Sequence, residues 1–274
     1  MSLVHRLAFG VKHMLELDIA AHNLVTYPDD TFIVSYPQSG TDWSTPLIAN
    51  LLQPERSLKP RDLERLIPAV NGHTRGFFKA MPRPRVIADQ GTFNPQYTNV
   101  IYIVRDPRDV VASTYNVACG STRTGRPFPI LDFVNGFVRE SRSTVGTWGD
   151  NVTSWLATRG NTPRFLLLRY EDLFFETVRE LGKVARFLGI HVSSHRLADA
   201  VNWSSSGDPK TAQEKHKRKN GPRVSPAAPG LWRSKLPEAA VTEIELAWAP
   251  LMAKLGYNLS IPQVVESGAV DAAF

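Results

Sequence analysis

The amino-acid sequence predicts an α/β fold with a central parallel sheet flanked by helices. Short runs rich in β-branched and aromatic residues stand at Thr31–Tyr36 (TFIVSY), Arg85–Ala88 (RVIA), Asn99–Val104 (NVIYIV) and Arg164–Arg169 (RFLLLR). Such runs, bounded by turn-forming residues, read as buried strands. Longer stretches with apolar residues at helical spacing separate them, the alternation of a strand–helix–strand protein. Polar residues follow each strand, where α/β proteins assemble their sites.

In chain order, the opening MSLVHRLAFGVKHMLELDIA reads as an amphipathic helix with Leu3, Leu7, Val11, Met14, Leu15 and Leu17 to pack. It carries too many charges for a signal-peptide core. The first strand is broken by Pro37, Ser39 and Gly40, and a helix follows through Trp43, Leu47, Ile48, Leu51 and Leu52. Strand, tight polar loop and helix can aim backbone N–H groups at an anion; the same order is also a plain connection. Pro46 leaves the helix start open. Inside a helix begun at Thr41 its ring meets the preceding turn, whereas a start at Pro46 capped by Thr45 lengthens the loop.

Gln53–Pro60 is a polar turn and Arg61–Ile67 a short helix, while Pro68–Pro84 reads as irregular and basic. Leu131–Trp148 and Asn151–Thr158 read as helices, with Phe133, Phe137, Trp148 and Trp155 packing. Leu173–Leu188 is an amphipathic helix closed by Gly189, and Pro237–Leu255 is the closing helix. Residues 203–229 turn to Ser, Gly, Pro and cations, including Lys215 to Lys219, a basic mobile lid segment. Residues 260–274 read as a tail.

With 274 residues, 42% of them hydrophobic, the chain can bury one substantial core. It is read as one domain over 1–274 with its motif-bearing core at about 30–257. A net charge of +6 and a pI near 9.5 suit an anionic ligand. Five basic positions alone make no nucleic-acid site, so the expected partner is a small molecule. The single Cys119 excludes an internal disulfide and fits a reducing compartment. No apolar run approaches the ~20 residues of a membrane span, and a cytoplasmic location is expected. No HxxxH, CxxC or clustered acidic set suggests a metal.

Ser35-Tyr36-Pro37-Gln38-Ser39-Gly40-Thr41-Asp42-Trp43 resembles the 5′-phosphosulfate loop of the PAPS-dependent sulfotransferases, PAPS being 3′-phosphoadenosine 5′-phosphosulfate. VRDPRDVVASTY resembles that family's 3′-phosphate site, with Arg105 at the strand end and Ser113 eight residues on matching its two phosphate contacts. By itself, R-D-P-R-D is also a helix-start salt-bridge cluster. Tyr170-Glu171-Asp172 resembles the family's motif after a later strand, and Gly230-Leu231-Trp232 the end of its nucleotide-covering segment. The resemblance spans roughly residues 30 to 257. It implies a P-loop-like three-layer fold, PAPS or 3′,5′-ADP as nucleotide, no metal, and sulfuryl transfer to a small-molecule hydroxyl or amine. The nucleotide contacts it implies are Ser39, Gly40, Thr41, Trp43, Arg105, Ser113 and Tyr170.

The chemical half departs from the family. Gln38 stands at the loop lysine and Asp42 at a hydroxyl or amide residue. The family's second strand ends in lysine, serine or threonine, and the histidine that serves as general base. In one register these fall at Ala88, Asp89 and Gln90; in another, at Lys79, Ala80 and Met81. Neither supplies a base, because an amide or thioether takes no proton near pH 7. Ser225 falls at a further arginine. Efficient sulfuryl transfer is therefore expected to be lost. Gln38, Asp42, Asp89 and Gln90 are the candidate chemical positions, with Asp42 or Asp89 as acid or base of a repurposed enzyme. A sulfotransferase with non-standard groups and a non-catalytic nucleotide- or partner-binding protein are the other readings.

Overall fold

In the computed structural model, four strands run parallel in the order β2-β1-β3-β4: β1 (Thr31–Ser35), β2 (Val86–Asp89), β3 (Asn99–Val104) and β4 (Phe165–Arg169). The structure describes residues 24–53, 60–120, 129–140, 145–205 and 227–260. Val34 pairs with Asp89 on one side and Tyr102 on the other, so these strands end at one level. The chain leaves β1 toward β2 and returns to the opposite side of β1 as β3. That reversal opens a crevice at the carboxyl ends of β1 and β3, the place where open α/β sheets bind ligands.

Around the sheet lie α1 (Thr41–Leu52), α2 (Pro60–Leu66), α3 (Arg75–Lys79), α4 (Pro107–Gly120), α5 (Ile130–Arg139), α6 (Trp148–Arg159), α7 (Tyr170–Phe175), α8 (Thr177–Phe187), α9 (Ser194–Ser205), α10 (Trp232–Lys235) and α11 (Glu238–Lys254). Strand alternation divides the core in two. Phe32, Val34, Ile87, Val100 and Tyr102 pack with Trp148, Val152 and Trp155 of α6 and Ile244 and Trp248 of α11. Ile33, Ala88, Ile101 and Ile103 pack with Leu47, Ile48 and Leu51 of α1 and Leu181 and Val184 of α8. Each large apolar side chain so buried contributes about 1.5–3 kcal/mol before ordering costs. Beneath the sheet, at the strands' amino ends, Arg85 is almost fully buried. Its guanidinium donates to both Asp30 oxygens, Nη1 to the Phe78 carbonyl and Nη2 to the Val25 carbonyl.

Several expected boundaries are corrected. α1 begins at Thr41 and runs through Pro46, so Thr45 is no cap. Pro46 forgoes the bond its N–H would give the Asp42 carbonyl, but it is buried, and packing of the following apolar turn offsets that loss. The segment read as irregular, 68–84, contains a 3₁₀ turn at Val70–Gly72 and the short α3, whose Thr74 hydroxyl accepts from the Phe77 N–H. Leu131–Trp148 is not one helix: α5 stops at Arg139 and Trp148 opens α6. There Thr147 and Asp150 exchange the two bonds of a capping box. Leu173–Leu188 breaks at Glu176 (φ −127°, ψ 44°) into α7 and α8. The N-terminal helix, most of the basic 203–229 segment and the tail beyond Ser260 lie outside the described residues.

Candidate functional site

The loop between β1 and α1 turns on two residues with left-handed backbone. Gln38 has φ 65° and Gly40 φ 100°. The Ser39 N–H bonds the Tyr36 carbonyl at 3.0 Å, and the Gly40 carbonyl accepts from Trp43 and Ser44 as the helix starts. Gly40 is required twice over. Its φ disfavours a side chain, and a Cβ there would lie 2.3 Å from the Tyr170 ring. Tyr170 therefore lies directly over the loop, with Trp43 edge-on at 5.5 Å between centroids.

Arg105, at the end of β3, reaches into the same loop. Its Nη1 donates to the Gln38 carbonyl at 3.1 Å, and its guanidinium lies 4.4 Å from the Tyr170 ring centroid. Ser113, on α4, donates its hydroxyl to Gln38 Oε1 at 2.8 Å. The crevice thus joins Gln38, Gly40, Trp43, Arg105, Ser113 and Tyr170, drawn from β1, β3, β4 and their following helices. Among the buried polar atoms without a hydrogen-bond partner are Ser39 Oγ and Arg105 Nε of this crevice. Thr41 Oγ1 and Ser35 Oγ bond each other. Buried donors left open cost free energy, and a bound oxyanion can satisfy them.

Asp89 closes β2 at the same level but faces the other layer of the core. It accepts the Tyr97 hydroxyl at 2.8 Å. Tyr97 is buried and stacks on Phe32 at 3.6 Å. Burial, with the Asp89 charge beside it, pushes the Tyr97 phenol far above its ordinary range, so it remains a donor. Gln90 is half-buried, and its carbonyl accepts from Asn151 Nδ2. Asp42 is exposed in the first turn of α1 and meets none of the crevice groups in a hydrogen bond.

A family model described as a sulfotransferase domain matches residues 28–256. The chain belongs to the sulfotransferase family. Rat (Rattus norvegicus) Sulfotransferase 2A1 is 28% identical over 210 residues, 72% of each chain. Guinea-pig (Cavia porcellus) 3-alpha-hydroxysteroid sulfotransferase is 28% identical over 189 residues, 65% of this chain and 64% of its own. In fold, the chain is similar to mouse sulfotransferase SULT7A1 complexed with PAP: TM-score 0.67, 22% identity, 87% of this chain and 90% of that one. It is also similar to retinol dehydratase in a complex with retinol and PAP: TM-score 0.63, 18% identity, 89% and 86% covered.

Within this sulfotransferase frame the two registers at β2 are geometrically unequal. Asp89 ends β2 at the level of the crevice. Lys79 is exposed at the end of α3, next to Phe78, whose carbonyl binds Arg85 at the opposite end of the strand. Ala88 is buried in the core layer that faces α1. The R-D-P-R-D motif carries two duties at once. Arg105 serves the crevice, while Arg108 binds Asp106 and Glu245 of α11 in a buried ion-pair network.

The sequence resemblance places Gly230-Leu231-Trp232 at the end of a nucleotide-covering segment but does not reveal the contacts that hold it. Asp109 accepts the Gly230 N–H at 2.7 Å and the Trp232 N–H at 3.0 Å, and Tyr170 donates to the Ala227 carbonyl at 2.8 Å. Trp232 is held between the Arg108 and Arg233 guanidiniums. Burial pushes the Asp109 carboxyl up, against these two N–H donors. The second aspartate of R-D-P-R-D was the available signal, but no spacing rule pairs residue 109 with residue 230. Among the described residues no cluster of three His, Cys, Asp or Glu is placed to hold a metal, and no helix is long and apolar enough to cross a membrane.

Proposed function

We propose that this chain binds a 3′-phosphorylated adenosine nucleotide, PAPS or 3′,5′-ADP, at the β1/β3 crevice. It has lost efficient sulfuryl transfer, and it acts on a small organic molecule by metal-independent acid/base chemistry at Asp89. The division of the site carries this reading. Arg105, Ser113 and the Gln38 loop meet within hydrogen-bond distance, while the positions the family uses for chemistry hold a neutral Gln38, a buried Ala88 and a neutral Gln90.

The residues present fit the nucleotide half. Arg105 offers an open Nε beside its terminal nitrogens, and a guanidinium fork suits a phosphate. Ser113 and Ser39 add hydroxyls, and the N-terminus of α1, with Gly40 and Thr41, adds N–H groups. Trp43 and Tyr170 supply aromatic surface. The residues do not fit the sulfuryl half, where charge develops and cations would be needed. PAPS, when bound, supplies an activated sulfuryl group; Gln90, at the position of the family's base, takes no proton from an acceptor hydroxyl. Asp89 is the candidate proton carrier. The Tyr97 hydroxyl fixes one oxygen and orients the other. Relatives named for steroids, and a fold neighbour bound to retinol, support a hydrophobic hydroxyl compound as the substrate class.

The test is thermal unfolding with 3′,5′-ADP together with turnover of PAPS against alcohols, phenols and amines. At a hundredfold excess over Kd a ligand stabilises by about 2.7 kcal/mol. A clear shift with negligible sulfation supports the reading. No shift removes the nucleotide half, and rapid sulfation removes the claim of lost transfer.

A further inference from the structure

We propose that Gln38 is a specificity determinant of the nucleotide site: it competes with a 3′-phosphate for Ser113 and so lowers discrimination in favour of 3′-phosphorylated nucleotides. This rests on the nucleotide reading above and deepens it. A serine hydroxyl carries one donor hydrogen, and in this structure that hydrogen goes to Gln38 Oε1 at 2.8 Å. A phosphate oxygen seated at Ser113 needs the same hydrogen. Arg105 faces no such conflict, because it gives one Nη1 hydrogen to the Gln38 carbonyl and keeps a buried, unpartnered Nε.

The backbone holds the competitor in place. Gln38 adopts φ 65°, uncommon for a residue with a long side chain, and its carbonyl is tied to Arg105. The loop is therefore tied to the end of β3 and the side-chain amide to Ser113 of α4. A nucleotide with a 3′-phosphate must displace the Gln38 amide oxygen, by moving the side chain or turning the amide so that its nitrogen faces the hydroxyl, before Ser113 can donate to the phosphate. A nucleotide without that phosphate leaves the contact intact. Losing one net hydrogen bond corresponds to about threefold to tenfold in affinity.

Calorimetric titration of the full chain with 3′,5′-ADP and with 5′-AMP tests this, on wild type, Gln38→Ala and Gln38→Asn. Asparagine tolerates the left-handed backbone and is one methylene shorter, so it covers the case in which alanine perturbs the loop. Both variants are expected to bind 3′,5′-ADP about three to ten times more tightly and 5′-AMP within about twofold of wild type. The gain is expected to vanish when Ser113→Ala is added. If wild type binds 3′,5′-ADP and neither variant tightens it, the competition is refuted and the nucleotide reading stands. Equal tightening for both nucleotides, or a gain that survives Ser113→Ala, also overturns the competition. If no form binds either nucleotide, both readings fall together.

Discussion

Tyr97 holds Asp89 from within the core: its hydroxyl donates at 2.8 Å while its ring stacks on Phe32 and lies beside Trp155. Under the proposed acid/base role, this fixed carboxylate is the proton carrier. Asp42, exposed in the first turn of α1, is not. With a turned-over substrate in hand, Asp89→Asn is expected to lower kcat by about 10²–10⁴-fold. Asp42→Asn is expected to stay within about twofold, the effect of a surface change near 0.5 kcal/mol. Equal kcat values for wild type and folded Asp89→Asn would remove the acid/base role.

Sulfuryl transfer from PAPS is expected to be very slow, since loss of the base alone costs about 10²–10⁴-fold. Restoring Gln38→Lys with Gln90→His is expected to raise any trace rate by at least about tenfold. Ala88 is left unchanged in this variant, because its site is only 7% exposed and a lysine ammonium there would be desolvated. Radiolabelled sulfuryl transfer to a simple phenol reads the outcome.

Gly40→Ala is expected to destabilise the protein by about 1–3 kcal/mol or more, through left-handed strain and the clash with Tyr170. In a Tyr170→Ala background only the strain should remain. A double-mutant cycle by urea unfolding separates the two contributions.

Arg85→Met is expected to cost about 3–5 kcal/mol, because it leaves Asp30 buried without its partner. The paired change Arg85→Met with Asp30→Asn should recover part of that loss. Chemical denaturation of the three proteins measures it, and equal losses in single and double variants would contradict the argument.

Burial pushes the Glu171 carboxyl up, against the Asp106 N–H that it accepts. A carboxyl raised in the folded state binds its proton more tightly there than in the unfolded chain. Its contribution is therefore fully present below the ordinary glutamate pKa and is lost as pH rises through the folded value. Unfolding free energy of wild type relative to Glu171→Gln is expected to fall as pH rises from the ordinary glutamate range toward neutrality. A difference that is flat or rises across that window would show the sign to be wrong.

The sequence by itself determined the strands, the parallel α/β class and which residues follow the strands at the sheet's carboxyl edge. Each of these rests on local information: β-branched runs such as NVIYIV, a Pro-Gln-Ser-Gly break after a strand, an arginine at a strand end. The helix boundaries were less legible. Pro46 argued locally for a late start, and burial of Leu47, Ile48 and Leu51 against the sheet overrode it. The pairing of residues distant along the chain was not legible at all. Nothing local says that Ser113 bonds Gln38, that Asp109 holds Gly230 and Trp232, or that Asp89 turns toward Tyr97 while Asp42 faces solvent. Those outcomes depend on strand order and register, which set what stands opposite what. Only the folded sheet, with β3 inserted beside β1, brings the residues within the distance at which hydrogen bonds and desolvation act.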